Sequence, residues 1–357
     1  MDRISGIKSD YRIHNVDSVD FSGVKSFNFP FPALVKILSY LFHLTQTLAL
    51  ILVLTFADLI ITILNVLTPS RRIGQTVPLP FSPDRPPPFF EYPFTNVMCQ
   101  VAKVLGPECP EWLRIWSVWD GIYLDGKWKE VNVEEANNGS RSPCPALNAL
   151  ANHGIINPSG RDLSFHQITS AISRTYNLSP TIAMQLLLGA YPILDGRKTI
   201  NLSDISTHGV IEHDASLLRP DIYDPDYKGF KDTQSRPWSD LINRFIPASP
   251  LPLTPKDLSH ALTIRRIECA NKNPCFHRAL NFDLFGSGNC GLMIEITDGK
   301  RDEIRTWAGI DGIERFEPHW RPSCRQAFGV SILRAQYLMA RIELHTGTSF
   351  GPRPRNV

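Results

Sequence analysis

Residues 141–154 read RSPCPALNALANHG, and the rest of the chain is best read outward from them. Pro145 suits the first position of a helix, where a missing N–H leaves no intrahelical bond unmade. Ala146 to Ala151 are good helix formers, and Gly154 suits the left-handed turn that closes a helix. Cys144 is then the N-cap. It faces unpaired backbone N–H groups and the positive end of the helix dipole, which favour thiolate over thiol. The expectation is a sulfur poised as a nucleophile or a metal ligand.

Downstream of Gly154 the apolar positions recur mostly at helical spacing. Leu163 to Tyr176, starting near Ser164, reads as a helix, as do Pro180 to Gly189, Pro255 to Asn271 and Cys324 to His345. Loops rich in Pro, Asp and Gly separate them. Upstream, Thr95 to Val104 reads as a short amphipathic helix. Trp116 to Val131 reads as a hairpin turned at Asp125-Gly126 between Tyr123 and Trp128. The expected fold class is mainly α. With 357 residues and 43% hydrophobic content, the chain can bury one sizeable core and carry appendages. A net charge of +2, with no basic block interleaved with aromatics, argues against a nucleic-acid partner.

The region before the core is a different solvent problem. Residues 1–30 are polar, without the layout of a cleavable signal peptide. Residues 31–68 form an expected membrane anchor. Ile37 to Ala57 contains no Asp, Glu, Lys or Arg, and about 20 such residues cross a bilayer. The apolar character continues past Asp58 to Leu67 on all faces, so lipid contact is assigned to residues 34–67, as a single-pass or monotopic anchor. Five basic residues (Arg3, Lys8, Arg12, Lys25, Lys36) precede it against Arg71, Arg72 and Arg85 after it, which favours a cytoplasmic N-terminus. An endomembrane such as the endoplasmic reticulum is the expected location. Residues 69–94 are a Pro-rich linker, 95–345 the main domain and 346–357 a tail.

The seven cysteines show no CxxC pair and no zinc-like spacing. With Cys144 committed to a metal, six remain for three disulfides or for free thiols. The sequons at Asn138, Asn177 and Asn201 would suit a lumenal domain.

A second informative stretch is NLSDISTHGVIEHDASLLRPD, residues 201–221. Glu212, His213, Asp214 and Ser216 gather oxygen ligands and an imidazole within five residues, a density suited to a hard cation or to proton transfer. Taken alone, the same residues also describe a capped helix start with a solvated acidic face.

Together, RSPCPALNALANHG, the following IINPSG, EHDASLLRPD and the later IDGIERFEPHWRP resemble the heme-thiolate peroxidase family, which includes chloroperoxidase and the unspecific peroxygenases. The resemblance runs from about Arg141 to Trp320. It implies a chloroperoxidase-like helical domain in which Cys144 is the axial ligand of heme b, since a thiolate pushes electron density toward the iron and favours O–O cleavage. Cys109, also followed by Pro, lacks the helix-forming sequence. The resemblance further implies a magnesium site from Glu212, the His213 carbonyl and Ser216 beside a heme propionate. The His213 side chain would reach the distal pocket, with Asp214 as its orienting partner.

One position departs from the family pattern. The distal acid-base glutamate falls within a G-E-[ST]-A-like stretch, and its counterpart here is Gly288-Asn289-Cys290-Gly291. Asn289 can donate and accept hydrogen bonds but cannot shuttle a proton. A shifted register would recruit Glu295 or Asp283 instead. Three functions follow. The first is a peroxidase or peroxygenase that uses hydrogen peroxide to oxidise or oxygenate a small hydrophobic organic substrate, as in secondary-metabolite biosynthesis. The second is a redox-neutral heme enzyme (isomerase, dehydratase or cyclase), and the third a heme-binding protein without turnover.

Overall fold

Helix starts fall where the sequence supplies caps. In the computed structural model, which describes residues 31–68, 123–124, 127–194, 196–227, 234–324 and 326–346, Ser164 caps helix α4 (Phe165–Tyr176). Its side chain accepts from Gln167 N while Gln167 answers on Ser164 N, a reciprocal capping box. Ser179 caps α5 (Pro180–Leu188), and Thr254 caps α7 (Pro255–Lys272) through a box with Asp257. Pro145 opens α3 (Pro145–Asn152) behind Cys144, as expected. Gly154 then adopts φ +71°, which glycine reaches without strain, and the turn closes through Ile155 N on Leu150 O. The remaining helices are α1 (Phe31–Leu67), α2 (Val133–Asn138), α6 (Ser239–Phe245), α8 (Leu280–Thr297), α9 (Arg301–Ala308) and α10 (Ile332–Glu343).

Strand structure among the described residues is slight. Tyr123–Leu124 pairs antiparallel with Lys127–Trp128, the centre of the expected hairpin, and Leu163–Ser164 pairs with Thr199–Ile200. Thr95 to Val104, Cys109, Asp125 and Gly126 lie outside the described residues. The mainly helical expectation holds.

Two helices revise or extend the sequence reading. Residue 324 and residues 326–330 lie outside the last helix. They run as a loop along 176–179, with Val330 N on Asn177 O and Ser179 N on Val330 O, and Ser331 caps α10. Helix α8, 18 residues long, covers FGSGNCG, a segment that the helical spacing above leaves unassigned and whose glycines weaken a helix interior. The reason is packing. A Cβ on Gly291 would lie 2.9 Å from Leu338 Cβ, so the glycine lets α8 and α10 approach closely along the most extensive helix pair described.

The chain divides into two units, Met1–Ile51 and Leu52–Val357. Within α1, Ala49–Leu67 has a mean hydropathy of 2.5, with Asp58 its one buried residue, and is long and apolar enough to cross a membrane. The second unit holds two apolar clusters. One is built on α3, α4 and α5 with Trp307, Phe316 and Trp320; the other lies among α6, α7, α8 and α9. Cys144, Cys269, Cys275 and Cys290 are free thiols, and Cys324 Sγ lies 3.2 Å from the Tyr176 carbonyl. Of the three sequons, Asn138 is exposed, whereas Asn177 is buried and donates to the carbonyls of Cys324 and Gln326.

His153 closes α3, and its role is structural. A positive charge would be favoured against the helix C-terminus, but the ring is buried and neutral. Nε2 accepts from Phe316 N (2.9 Å), so Nδ1 is the donor to Lys129 O (2.7 Å), and the ring stacks on Phe316. Burial pushes its pKa down from 6.5 to about 4. A group whose folded pKa lies below its unfolded value contributes fully above the unfolded pKa and loses that contribution as pH falls through the folded one. Stability is therefore expected to drop by about 3 kcal/mol between pH 6.5 and 4 from this residue alone. Urea denaturation across that window checks it, and in His153→Gln the corresponding slope should disappear.

Candidate active site

The two apolar clusters meet around a cavity of about 280 Å³. That is nearly twice the roughly 150 Å³ apolar cavity that accommodates benzene, so it suits a ligand larger than one ring. Its walls are mainly aliphatic and aromatic, including Leu147, Ile172, Tyr176, Leu217, Phe285 and Trp307, and its polar lining comes from Cys144, Glu212, His213, Ser216, Arg219 and Asn289. Residues from positions 144, 212–216 and 289 thus share one cavity, as the resemblance implies.

Cys144 is half-buried at the N-terminus of α3. Burial pushes its thiol pKa up, against the pull of the Leu147 and Ala146 backbone N–H groups and of Arg219. The expectation that the helix start alone favours the thiolate is therefore corrected for the ligand-free protein: desolvation outweighs the dipole. A metal ion reverses this balance, because a coordinating thiol is deprotonated outright.

Helix α3 is held by a buried polar network that the sequence reading did not identify. Arg219 Nη2 donates to Glu314 Oε1 (2.6 Å), and Asn148 Nδ2 donates to the same oxygen (3.0 Å). Asn148 Nδ2 also donates to Ser142 O, and its Oδ1 accepts from Ser142 N. Asn152 bridges Arg141 to the Glu314 carbonyl. Asn148 and Asn152 are thus long-range connectors and not local helix contacts. Arg219 lies in EHDASLLRPD and Glu314 in IDGIERFEPHWRP, so the one available signal was that each motif contains a charge without an assigned role.

Around His213, Asp214 acts differently from expectation. His213 Nδ1 donates to the Asp214 backbone carbonyl (2.8 Å), while the Asp214 carboxylate accepts from Asn273 Nδ2 and His277 N. The orienting contact is therefore the main chain, which a short loop can aim at its own preceding imidazole. With Nδ1 protonated and burial lowering its pKa, His213 is neutral and Nε2 is its lone-pair nitrogen. Phe282 stacks on the ring, and Gly286 leaves space beside Cε1.

Glu212 is buried, and Oε2 accepts from His208 Nδ1 (2.6 Å) while Oε1 has no hydrogen-bond partner among the described residues. Burial raises its pKa to about 7. Ser216 Oγ lies 3.1 Å from the His213 carbonyl, to which it donates. Glu212 and Ser216 both line the cavity, and the Glu212 oxygen without a partner is a buried acceptor left to be satisfied. Among the described residues, no group of three or more His, Cys, Asp or Glu side chains is arranged as a metal site.

Asn289 is solvent-accessible on the cavity wall. The two carboxylates of the alternative register are engaged elsewhere: Glu295 with Arg334 and Gln326, Asp283 with Arg266 and Arg278. Neither lines the cavity.

The family model described as "Peroxidase, family 2" matches residues 131–325. A chloroperoxidase of Leptoxyphium fumago is 34% identical over 89 residues, covering 23% of this chain. The match spans about a quarter (24%) of that relative's length.

Proposed function

This chain belongs to the family 2 peroxidases, and from that premise we propose that it is a membrane-anchored heme-thiolate enzyme. It uses hydrogen peroxide to oxidise or oxygenate a hydrophobic organic substrate, in the manner of a secondary-metabolite enzyme. One observation carries the reading: a free thiol at a helix N-terminus shares an apolar cavity with an imidazole, an amide and an unsatisfied carboxylate.

Heme b bound through a thiolate favours O–O cleavage of peroxide. Cys144 Sγ would hold the iron, and the N–H groups of Ala146 and Leu147 with the Arg219 guanidinium would stabilise the sulfur's charge. The apolar walls exclude water and receive the substrate. His213 Nε2 can take up a proton on the distal side, held in register by Nδ1–H on the Asp214 carbonyl. Asn289 orients by hydrogen bonding and carries no proton. Glu212, Ser216 and the His213 carbonyl would hold magnesium, whose charge would keep Glu212 ionised despite its burial.

Residues 34–67 would anchor the enzyme in an endomembrane, placing the cavity near a lipid-soluble substrate. Residues 95–345 then form the catalytic domain, after a linker at 69–94. Asn138, the exposed sequon, reports the side: glycosidase-sensitive modification there places the domain in the lumen, and its absence with an accessible Asn138 favours the cytoplasm.

The deciding experiment is a carbon monoxide difference spectrum of the reduced, heme-loaded protein. The wild type is expected to give the thiolate-ligated band and Cys144→Ala to lose it, with peroxide-dependent turnover falling to background. A spectrum unchanged in the variant sinks the assignment. The amide at position 289 supports a second reading, a redox-neutral isomerase, dehydratase or cyclase. Equal product yield with and without peroxide would favour it.

A further inference from the structure

In a water-exposed helix, the apolar face turns inward and the polar face outward. Over residues 52–67, α1 does the opposite. Asp58, Thr62 and Asn65, spaced i, i+4, i+7 and so on one face, turn inward, and each finds a partner in the same unit. The Asp58 carboxylate is 4% exposed; Oδ1 accepts from Thr181 Oγ1 (2.6 Å) and Ile332 N (2.8 Å), and Oδ2 from Leu333 N (3.0 Å). It therefore supplements Ser331 in capping α10 and places a negative charge at the positive end of that helix. Thr62 Oγ1 donates to Ser331 Oγ (3.0 Å). Asn65 clamps the preceding loop from both sides, donating to Gly329 O and accepting from Phe328 N (both 2.9 Å).

The outward face carries Val53, Phe56, Ile60, Ile63, Val66 and Leu67, each between 43% and 79% exposed. Two features select the occupant. From residue 59 to residue 70 there is no charged side chain, and Arg71 and Arg72 follow at the end. The face is aliphatic apart from Phe56, with no Tyr, Trp or Arg of the kind that anchors protein interfaces, and apolar composition closed by basic residues suits acyl chains and headgroups. The inward polar face obeys the same constraint from the other side, because a carboxylate, a hydroxyl and an amide at lipid level must be answered by protein donors and acceptors.

We propose that residues 52–67 form a lipid-facing surface clamped to the catalytic domain. Bilayer contact then extends onto the domain beside the N-terminus of α10, and the anchor acts as a fixed mount. This rests on the membrane reading above. It adds that the polar face of α1 sets the domain's attitude.

The test uses the full heme-loaded chain in phosphatidylcholine vesicles carrying a photoactivatable acyl chain, with labelled residues mapped by mass spectrometry. Labels are expected on the outward residues of 53–67. Sedimentation with vesicles but no label beyond residue 52 overturns the docked surface and leaves the anchor. Failure to sediment overturns both. Cross-links between Ile63→Cys copies, without lipid label, assign the face to self-association and also overturn it. For the clamp, hydrogen exchange at the Ile332 and Leu333 amides should rise at least about tenfold in Asp58→Leu, equivalent to ~1.4 kcal/mol. A smaller rise is expected in the isosteric Asp58→Asn, which covers the case in which the leucine variant fails to fold. Unchanged exchange in Asp58→Asn together with unchanged exchange in a folded Asp58→Leu refutes the clamp.

Discussion

Asn289→Glu is expected to accelerate the reaction with hydrogen peroxide by about 10²–10⁴-fold, the range that a positioned proton-transfer group contributes. Asn289 lines the same cavity as Cys144 and His213, and the two neighbouring carboxylates on α8 are spent in ion pairs away from it. An amide there can hold a ligand by hydrogen bonds, but it has no titratable proton to pass between two oxygens. A glutamate is nearly the same size and restores that capacity. Stopped-flow mixing of heme-loaded wild type and variant with peroxide reads the effect directly. Equal rates would mean that His213, through Nε2, already supplies the proton transfer, and the second reading of the function would lose its support. Gain of rate in the variant, with wild-type product yield independent of peroxide, would establish the redox-neutral enzyme.

The largest stability effect is expected at Arg219. It is buried almost completely, and its guanidinium meets Glu314 in an ion pair that also receives Asn148 from the Cys144 helix. Arg219→Met removes the partner and leaves a carboxylate in an apolar setting, which costs about 3–5 kcal/mol in comparable buried pairs. That is a large share of the roughly 5–15 kcal/mol by which domains are stable. The double variant Arg219→Met/Glu314→Met should recover much of the loss, because most of the single-variant penalty is the stranded charge. Guanidinium denaturation of the four proteins forms the cycle. A single-variant loss below about 1 kcal/mol would show that Glu314 takes a proton and tolerates the missing partner.

What could be read in advance follows the range of the interactions. Cys144 as N-cap, Pro145 at the first helical position and the helix start near Ser164 are decided within four residues, and they stand as the sequence suggests. The gathering of Cys144 with the 212–216 stretch was legible through motif order, which carries long-range information that spacing lacks. The extent of helix α8 was not readable from spacing, because its glycines have a reason that lies in another helix, at Leu338. Asp214 contacts His213 as expected of an orienting partner, but which of its groups does so was not legible: carboxylates are the usual partners of imidazoles, while here the backbone carbonyl is used. The raised pKa of Cys144 was hidden for a related reason: the dipole is visible in sequence, whereas burial is a property of the whole fold.

The Trp128 side chain has a consequence for where the folding unit begins and ends. It is 4% exposed, its indole N–H donates to Trp320 O, and its backbone N–H donates to Pro318 O. At the other end, Arg266 reaches past residue 325 to pair with Glu343 in α10. A polypeptide trimmed to the matched residues, 131–325, would expose Phe316 and Trp320, cost Arg266 its Glu343 partner and strip α8 of the helix against which Gly291 packs. The inheritable motif and the smallest piece that can fold are therefore different lengths of chain, and a protease probing the native enzyme should respect the longer one.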